Sequence, residues 1–143
     1  MPNYNKYHKI TLQITDENIN ILDKINQVKI NNQIHLIYYG ILSHSPKTCP
    51  HCKQNSPSLI SKHGHRRVKL KMPFISDKPV ILFLDKQRFI CKICNKSFST
   101  KTTEVRKYSN ISKNLRARII KKLSKELTLK EIAQSYAIST NTV

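Results

Sequence analysis

Acidic residues are scarce in this sequence: 8 Asp and Glu stand against 26 Lys and Arg, a formal net charge of +18 over 143 residues. That imbalance excludes a charge-neutral surface and favours a polyanionic partner, nucleic acid before others. Long apolar runs are missing too. The longest, Ile34 to Leu42, is interrupted by His35 and Gly40 and falls far short of the ~20 residues that span a bilayer. The N-terminus carries no charged-then-apolar signal pattern, so the expected location is the cytoplasm, with no membrane partner. Glycine is almost absent, with 2 in the chain, and the excess of Lys, Asn and Ile over Arg, Gly and Ala is what an AT-rich genome produces. The lysine count therefore says less than where the lysines lie.

They lie in the last two thirds. Up to Ser45 there are Lys6, Lys9, Lys24 and Lys29 against Asp16, Glu17 and Asp23, which leaves 22 basic and five acidic residues for the remainder. A chain of this length makes one ordinary domain or two small ones, and two small ones would need a staple. The cysteines offer it. There are only 4, arranged as Cys49-Pro50-His51-Cys52 and Cys91-Lys92-Ile93-Cys94. Two thiolates separated by two residues can reach one metal, and two such hooks complete a tetrahedral Cys₄ site that leaves no position open for water or substrate. The expected cofactor is structural Zn²⁺, held by Cys49, Cys52, Cys91 and Cys94. In a reducing compartment paired CxxC hooks point to metal rather than disulfides.

Two other readings stay open on spacing alone. A redox CxxC belongs ahead of a helix in a βαβ context, and an iron–sulfur cluster also uses four cysteines, though not usually as two plus two. His51 reads as an exposed knuckle residue, and His63 and His65 as surface or phosphate-contacting groups. A knuckle turns back through a positive φ just after its second cysteine; Asn95 tolerates that, whereas Lys53 does so with strain.

Along the chain, residues 1–15 show no period and read as a loose terminus. Residues 16–45 read as a packing β-hairpin about Asn31-Asn32, although Asp16-Glu17-Asn18 is also a helix start. Residues 46–98 read as a zinc ribbon with a long antiparallel insertion between its hooks. In that insertion alternation sets Val68, Leu70 and Met72 on one face and Lys69 and Lys71 on the other, Pro73 and Asp77-Lys78-Pro79 break the pattern, and Val80 to Leu84 starts the return strand. Residues 99–111 form a polar, threonine-rich linker.

Residues 112–143 are helical in pattern. Ser112 caps a segment with Leu115, Ile119, Ile120 and Leu123 at helical spacing and with Arg116, Arg118, Lys121 and Lys122 on its other faces. Thr128-Leu129-Lys130-Glu131 is a capping box for a second helix, and Ser139 caps a third that ends after Thr140, Asn141, Thr142 and Val143. Two helices joined by a short turn make a helix-turn-helix, whose second helix faces base edges with its first turn. Here that helix is truncated. The fold class expected is α+β: an N-terminal β-hairpin and a zinc-ribbon-like antiparallel β region, then a small all-helical segment.

The order of parts, CPHC, then HGHRRVKLKMP, then VILFLDKQRFICKICNKSF, then TLKEIAQSYAISTNTV, resembles the N-terminal region of insertion-sequence transposases of the ISL-three family over about residues 16–143. The resemblance implies a zinc ribbon and a helix-turn-helix that bind the terminal inverted repeats of the element, ahead of a catalytic domain with three carboxylates and divalent metal. Its departures here are Lys53 in place of a glycine and the lack of a convergent carboxylate triad, so this chain is expected to bind double-stranded DNA without cutting it, in the bacterial cytoplasm and at the nucleoid when bound. Expected DNA contacts are Arg66, Arg67, Lys69, Lys71, Arg116, Arg118, Lys121 and Lys122 at phosphates, with Thr140 and Asn141 near bases. Alternative classes are a zinc-ribbon RNA- or ribosome-associated protein, and a regulatory module that homo-oligomerises through its N-terminal hairpin.

Overall fold

The computed structural model of the chain describes residues 3–106, 109–124, 129–136 and 138. These form helix α1 (Tyr4–Leu12), strands β1 (Ile19–Ile30), β2 (Gln33–Leu42), β3 (Ile60–Ile75), β4 (Lys78–Cys91) and β5 (Ser97–Ser99), and helices α2 (Lys113–Leu123) and α3 (Leu129–Tyr136). The strands make one sheet in the order β1-β2-β4-β3, with β5 beside β4.

Two hairpins build it. In β1–β2 the turn is Asn31-Asn32, both at positive φ (51° and 62°), the conformation that matches the twist of a two-residue hairpin and that asparagine tolerates. In β3–β4 the turn is Ser76-Asp77, again both at positive φ (49° and 62°). The turn thus falls one residue before the Asp77-Lys78-Pro79 reading, and Lys78 and Pro79 already belong to β4. Nor does Pro73 end its strand. β3 is an edge strand, and its register shifts between Met72 and Ile75, where the missing N–H of a proline costs no ladder bond.

The hairpins are not separate packing units. β2 pairs with β4 in parallel from Leu36↔Val80 to Leu42↔Lys86, so the segment read as 16–45 and the insertion of the ribbon share one sheet and one core. That core covers one face of the sheet. Ile19 and Leu42, Met72, Leu82 and Leu84 are fully buried there with Leu12, and Ile14 is buried beside them, each large apolar side chain contributing about 1.5–3 kcal/mol. Gly40 lies where β1 and β4 approach: an added Cβ would meet Ile21 Cδ1 at 3.0 Å and the Asn20 carbonyl at 3.3 Å.

Residues 3–15, read as part of a loose terminus, form a capped helix and its exit turn. Asn3 caps α1 by accepting from the Lys6 N–H (3.1 Å), and Gln13 closes it in the left-handed conformation. Polar bonds hold the helix down: Asn5 Oδ1 accepts from the Ile21 N–H (2.7 Å) beside an irregularity in β1. Only Leu12 of α1 is buried, so the helix leaves no apolar period in the sequence.

Residues 99–106 and 109–111, read as a linker, form a belt tied to the rest of the fold. Thr100 donates to the Gln87 carbonyl (2.8 Å), and Glu104 is buried with Oε1 accepting from the Thr15 N–H (2.8 Å), the Thr15 hydroxyl (3.0 Å) and the Asp16 N–H (2.9 Å). The belt ends against β3, where Lys71 N–H donates to the Asn110 carbonyl (2.8 Å) and Ser112 N–H to the Lys71 carbonyl (2.9 Å). From there Ser112 caps α2, accepting from the Leu115 N–H at 3.2 Å. Ile111, Leu115 and Ile119 pack on Ile132, Ala133 and Ile138 as a second small core. The capping box at Thr128 and the third helix from Ser139 lie outside the described residues.

Candidate metal centre

The register of the long hairpin assembles the hooks. Ile60 pairs with Cys91, so the chain entering β3 and the chain leaving β4 emerge side by side, and one hook lies on each. Both hooks fold the same way. Lys53 N–H donates to the Cys49 carbonyl (3.0 Å) and Cys49 N–H to the Gln54 carbonyl (3.0 Å); in the second hook Asn95 N–H donates to the Cys91 carbonyl (2.9 Å) and Cys91 N–H to the Lys96 carbonyl (3.1 Å). Each turn passes through a left-handed residue after its second cysteine, Lys53 at φ 63° and Asn95 at φ 56°. Asparagine tolerates that conformation, and lysine holds it with strain.

The four sulfurs converge, every pair lying within 4.8 Å. Cys49 Sγ is 3.7 Å from Cys94 Sγ, and Cys52 Sγ is 3.7 Å from Cys91 Sγ. A tetrahedral zinc with bonds of ~2.3 Å requires sulfurs ~3.8 Å apart. Donors surround them. His51 N–H points at Cys49 Sγ (3.4 Å) and Gln54 Nε2 at Cys91 Sγ (3.6 Å). The N–H groups of Cys94 and Ile93 outweigh desolvation and bring the Cys91 thiol down to about 6. At Cys52 the Gln54 backbone N–H favours the thiolate, but desolvation and the three neighbouring sulfurs prevail and push it up to about 11. Four thiolates so close repel one another, and a divalent cation at their centre removes that conflict. Among the described residues no other His, Cys, Asp and Glu side chains cluster in this way. His63 and His65 are exposed, and His51 turns its Nε2 to the Ser97 carbonyl (3.2 Å).

The cationic residues read from the sequence do not share one surface. In β3 the pleat puts Arg66 on the face that carries Leu70 and Met72, and Arg67, Lys69 and Lys71 on the opposite face. On that opposite face Tyr39 and Phe83 stack with centroids 5.9 Å apart. Lys24 sits over Tyr39 at 5.3 Å, and the Arg67 guanidinium lies 5.8 Å and 5.7 Å from the two rings. Arg67 also makes a forked bond to Asp85 (2.8 and 3.1 Å), and that bond, with the charge, holds the Asp85 carboxyl below its ordinary range. Burial, then the charge of Lys69, lowers the Lys71 ammonium.

On the helices, Arg118, Lys121 and Lys122 line a groove of about 280 Å³ with Tyr136; Arg116 is half-buried beside it in α2. Thr140 and Asn141 lie outside the described residues. The sequence reading missed a second cationic concavity, about 680 Å³, lined by His51, Arg66, Arg88, Phe98 and Lys101. Its cations come from three separate segments, so no local pattern announces it.

Residues 45–94 match the family described as the zinc-finger of transposase IS204/IS1001/IS1096/IS1165. No curated protein and no solved structure matches the chain. The matched stretch is about a third of the chain, and it runs from just before the first hook to the last cysteine of the second. Over residues 45–94 the chain therefore carries a zinc ribbon like that of these transposases, with Zn²⁺ as its structural ion on Cys49, Cys52, Cys91 and Cys94.

Proposed function

We propose that the chain is the zinc-stabilised DNA-binding part of an ISL-three-type transposase, and that it takes the terminal inverted repeats of its element as double-stranded DNA. The observation that carries this reading is the closed four-cysteine site within a stretch similar to the transposase zinc finger, set in a chain of net charge +18. A site of four thiolates organises backbone and performs no hydrolysis, so its product is a held surface. Phosphate contacts fall to Lys69 and Lys71 on one face of the ribbon, to Arg66 on the other, and to Arg116, Arg118, Lys121 and Lys122 on α2. Arg67, committed to Asp85 and the two rings, contributes charge more than a free fork. α2 and α3 with the residues that follow are read as the helix-turn-helix, and Thr140 and Asn141 as its approach to bases.

The chain is read as a binding part and not as the cutting part. Two-metal strand transfer needs carboxylates that converge on ions ~3.5–4 Å apart. Here Asp23 faces His8, Asp85 is held by Arg67, and Glu104 is tied to the α1–β1 corner. The test is fluorescence-anisotropy binding to duplexes of the element's ends and to shuffled sequences of the same composition, over a salt series. Tighter binding to the ends, weakening steeply with salt, supports the reading; equal binding to both sinks the inverted-repeat assignment.

One observation favours a second reading. A stacked aromatic pair among cations is the kind of platform that takes unpaired bases, as in an RNA- or ribosome-associated ribbon. Both rings are already capped by the chain's own Lys24 and Arg67, which is why duplex DNA ranks first. Competition between duplex DNA and structured RNA for one labelled probe separates the two.

A further inference from the structure

We propose that the concavity beside the first hook is a phosphate site, in which Arg66, Arg88 and Lys101 together hold one phosphodiester of a nucleic-acid backbone. This deepens the DNA-binding reading and adds Arg88 and Lys101, which the sequence did not single out.

The concavity is built, not merely charged. Arg88 Nη2 donates to Ser97 Oγ at 3.3 Å, which fixes the guanidinium at the rim. His51 Nε2 bonds the Ser97 carbonyl (3.2 Å), and Phe98 closes the back, packed edge-on against His51 and tilted against Phe89, with centroids 6.5 and 5.7 Å apart. At about 680 Å³ and open to solvent, it is wider than a free phosphate ion and has room for a phosphate with its flanking sugars. Two guanidinium forks and one ammonium suit that group: arginine meets phosphate oxygens in pairs, and lysine adds a point charge.

Electrostatics make the same demand. Among the described residues the ion pairs are His8–Asp23, Arg67–Asp85 and Lys113–Glu104, so none of the three cations has a carboxylate partner. The acid closest in the strand register, Asp85, stands on the other face and is taken by Arg67. A fourth cation, Lys86, faces Arg66 across the strands, and burial, then the Arg66 charge, lowers its ammonium. Like charges gathered without an acid repel, and an anion among them relieves the repulsion. The site also depends on the metal. Pro50 and His51 belong to the first hook and form one wall, so zinc holds that wall in place.

The experiment uses the zinc-loaded full chain in two arms. In the first, inorganic phosphate is titrated against chloride at equal ionic strength while the Arg88 Nε–H and His51 resonances are followed by NMR. In the second, affinity for a mixed-sequence duplex is measured over a salt series for the wild type, Arg88→Ala, Lys101→Ala, the double variant, and Lys29→Ala on remote β1 as control. The phosphate arm should shift the Arg88 and His51 signals more than chloride does. In the duplex arm each single variant should bind several-fold more weakly. The double variant should lose only about 0.9 from the slope of log K against log salt, the loss of one phosphate, with Lys29→Ala unchanged. Arg88→Lys, which keeps the charge and loses the fork, should fall between wild type and Arg88→Ala, and zinc content with far-UV dichroism shows that each variant is folded. Unshifted signals in phosphate, or wild-type affinity and slope in folded Arg88→Ala and Lys101→Ala, overturn the site. A wild type that binds no duplex overturns the DNA reading instead, and the phosphate arm alone then decides the site.

Discussion

Replacing Glu104 by alanine should cost about 3 kcal/mol of stability. Its Oε1 accepts three hydrogen bonds, from the Thr15 N–H, the Thr15 hydroxyl and the Asp16 N–H, and bonds to a charged acceptor contribute about 1.5–3 kcal/mol each. The gross figure is reduced by the desolvation of the carboxylate. Its Oε2 is buried without a partner among the described residues, and Lys113 Nζ offers only a 3.6 Å contact to Oε1. Against that, the variant strands two backbone donors at the α1–β1 corner, a penalty of about 1–3 kcal/mol for each one left buried. The balance lies near the value of the strongest single bond, and for a chain of this size it lowers the melting temperature by roughly 10 °C. Glu104→Gln keeps the shape and an acceptor oxygen for Thr15 and Asp16 but loses the charge that strengthens those bonds, so it should recover only part of the loss. The assay is thermal unfolding followed by circular dichroism with zinc in excess, so that metal release does not mask the effect, together with a Thr15→Val cycle to isolate the coupling. A melting temperature of Glu104→Ala within 1–2 °C of wild type would refute the belt, because three bonds to a buried carboxylate cannot vanish without a trace.

Three further outcomes follow from single positions. Lys53→Gly should stabilise the zinc-loaded chain by about 0.5–1 kcal/mol in a denaturant titration, since glycine adopts the φ of 63° without the Cβ penalty; a loss of stability would contradict the strained knuckle. Gly40→Ala should destabilise by about 1–2 kcal/mol by overpacking, because Ile21 Cδ1 can give way at 3.0 Å but the Asn20 carbonyl at 3.3 Å is backbone. For Asp85 the sign is fixed by a folded-state pKa held low by the Arg67 bond. The carboxylate's contribution is present above the unfolded value near ~3.9 and is lost as pH falls through the lower folded value. Wild type should therefore lead Asp85→Asn at pH 6, and the lead should close on acidification below ~4, measured as the difference between the two proteins at each pH.

What the sequence disclosed is what short spacing controls. Two cysteines two apart, an Asn-Asn pair between β-branched runs, apolar alternation from Val68 to Met72 and a serine ahead of a helical stripe each carry their geometry within a few residues. The left-handed residues after Cys52 and Cys94 were foreseeable for the same reason. What stayed hidden rests on distant partners. α1 is fixed by Asn5 on Ile21 and by one buried leucine, which leaves no period to detect. The parallel pairing of β2 with β4 depends on how two hairpins meet, and Glu104, a lone acid in a threonine-rich stretch, finds its donors 88 and 89 positions earlier. The alternation from Val68 to Met72, by contrast, carried two residues back, already separates Arg66 from Arg67.

The most direct test of the central claim, that one zinc on four cysteines holds the DNA-binding surface, is duplex affinity of a single preparation measured zinc-loaded, after chelation and after zinc is returned. Structural sites of this kind bind with roughly 10–16 kcal/mol, far more than a small ribbon core supplies. The account predicts one zinc per chain, loss of duplex binding with the metal, and recovery on reloading. A zinc-free chain that binds the duplex as tightly as the loaded one would contradict it.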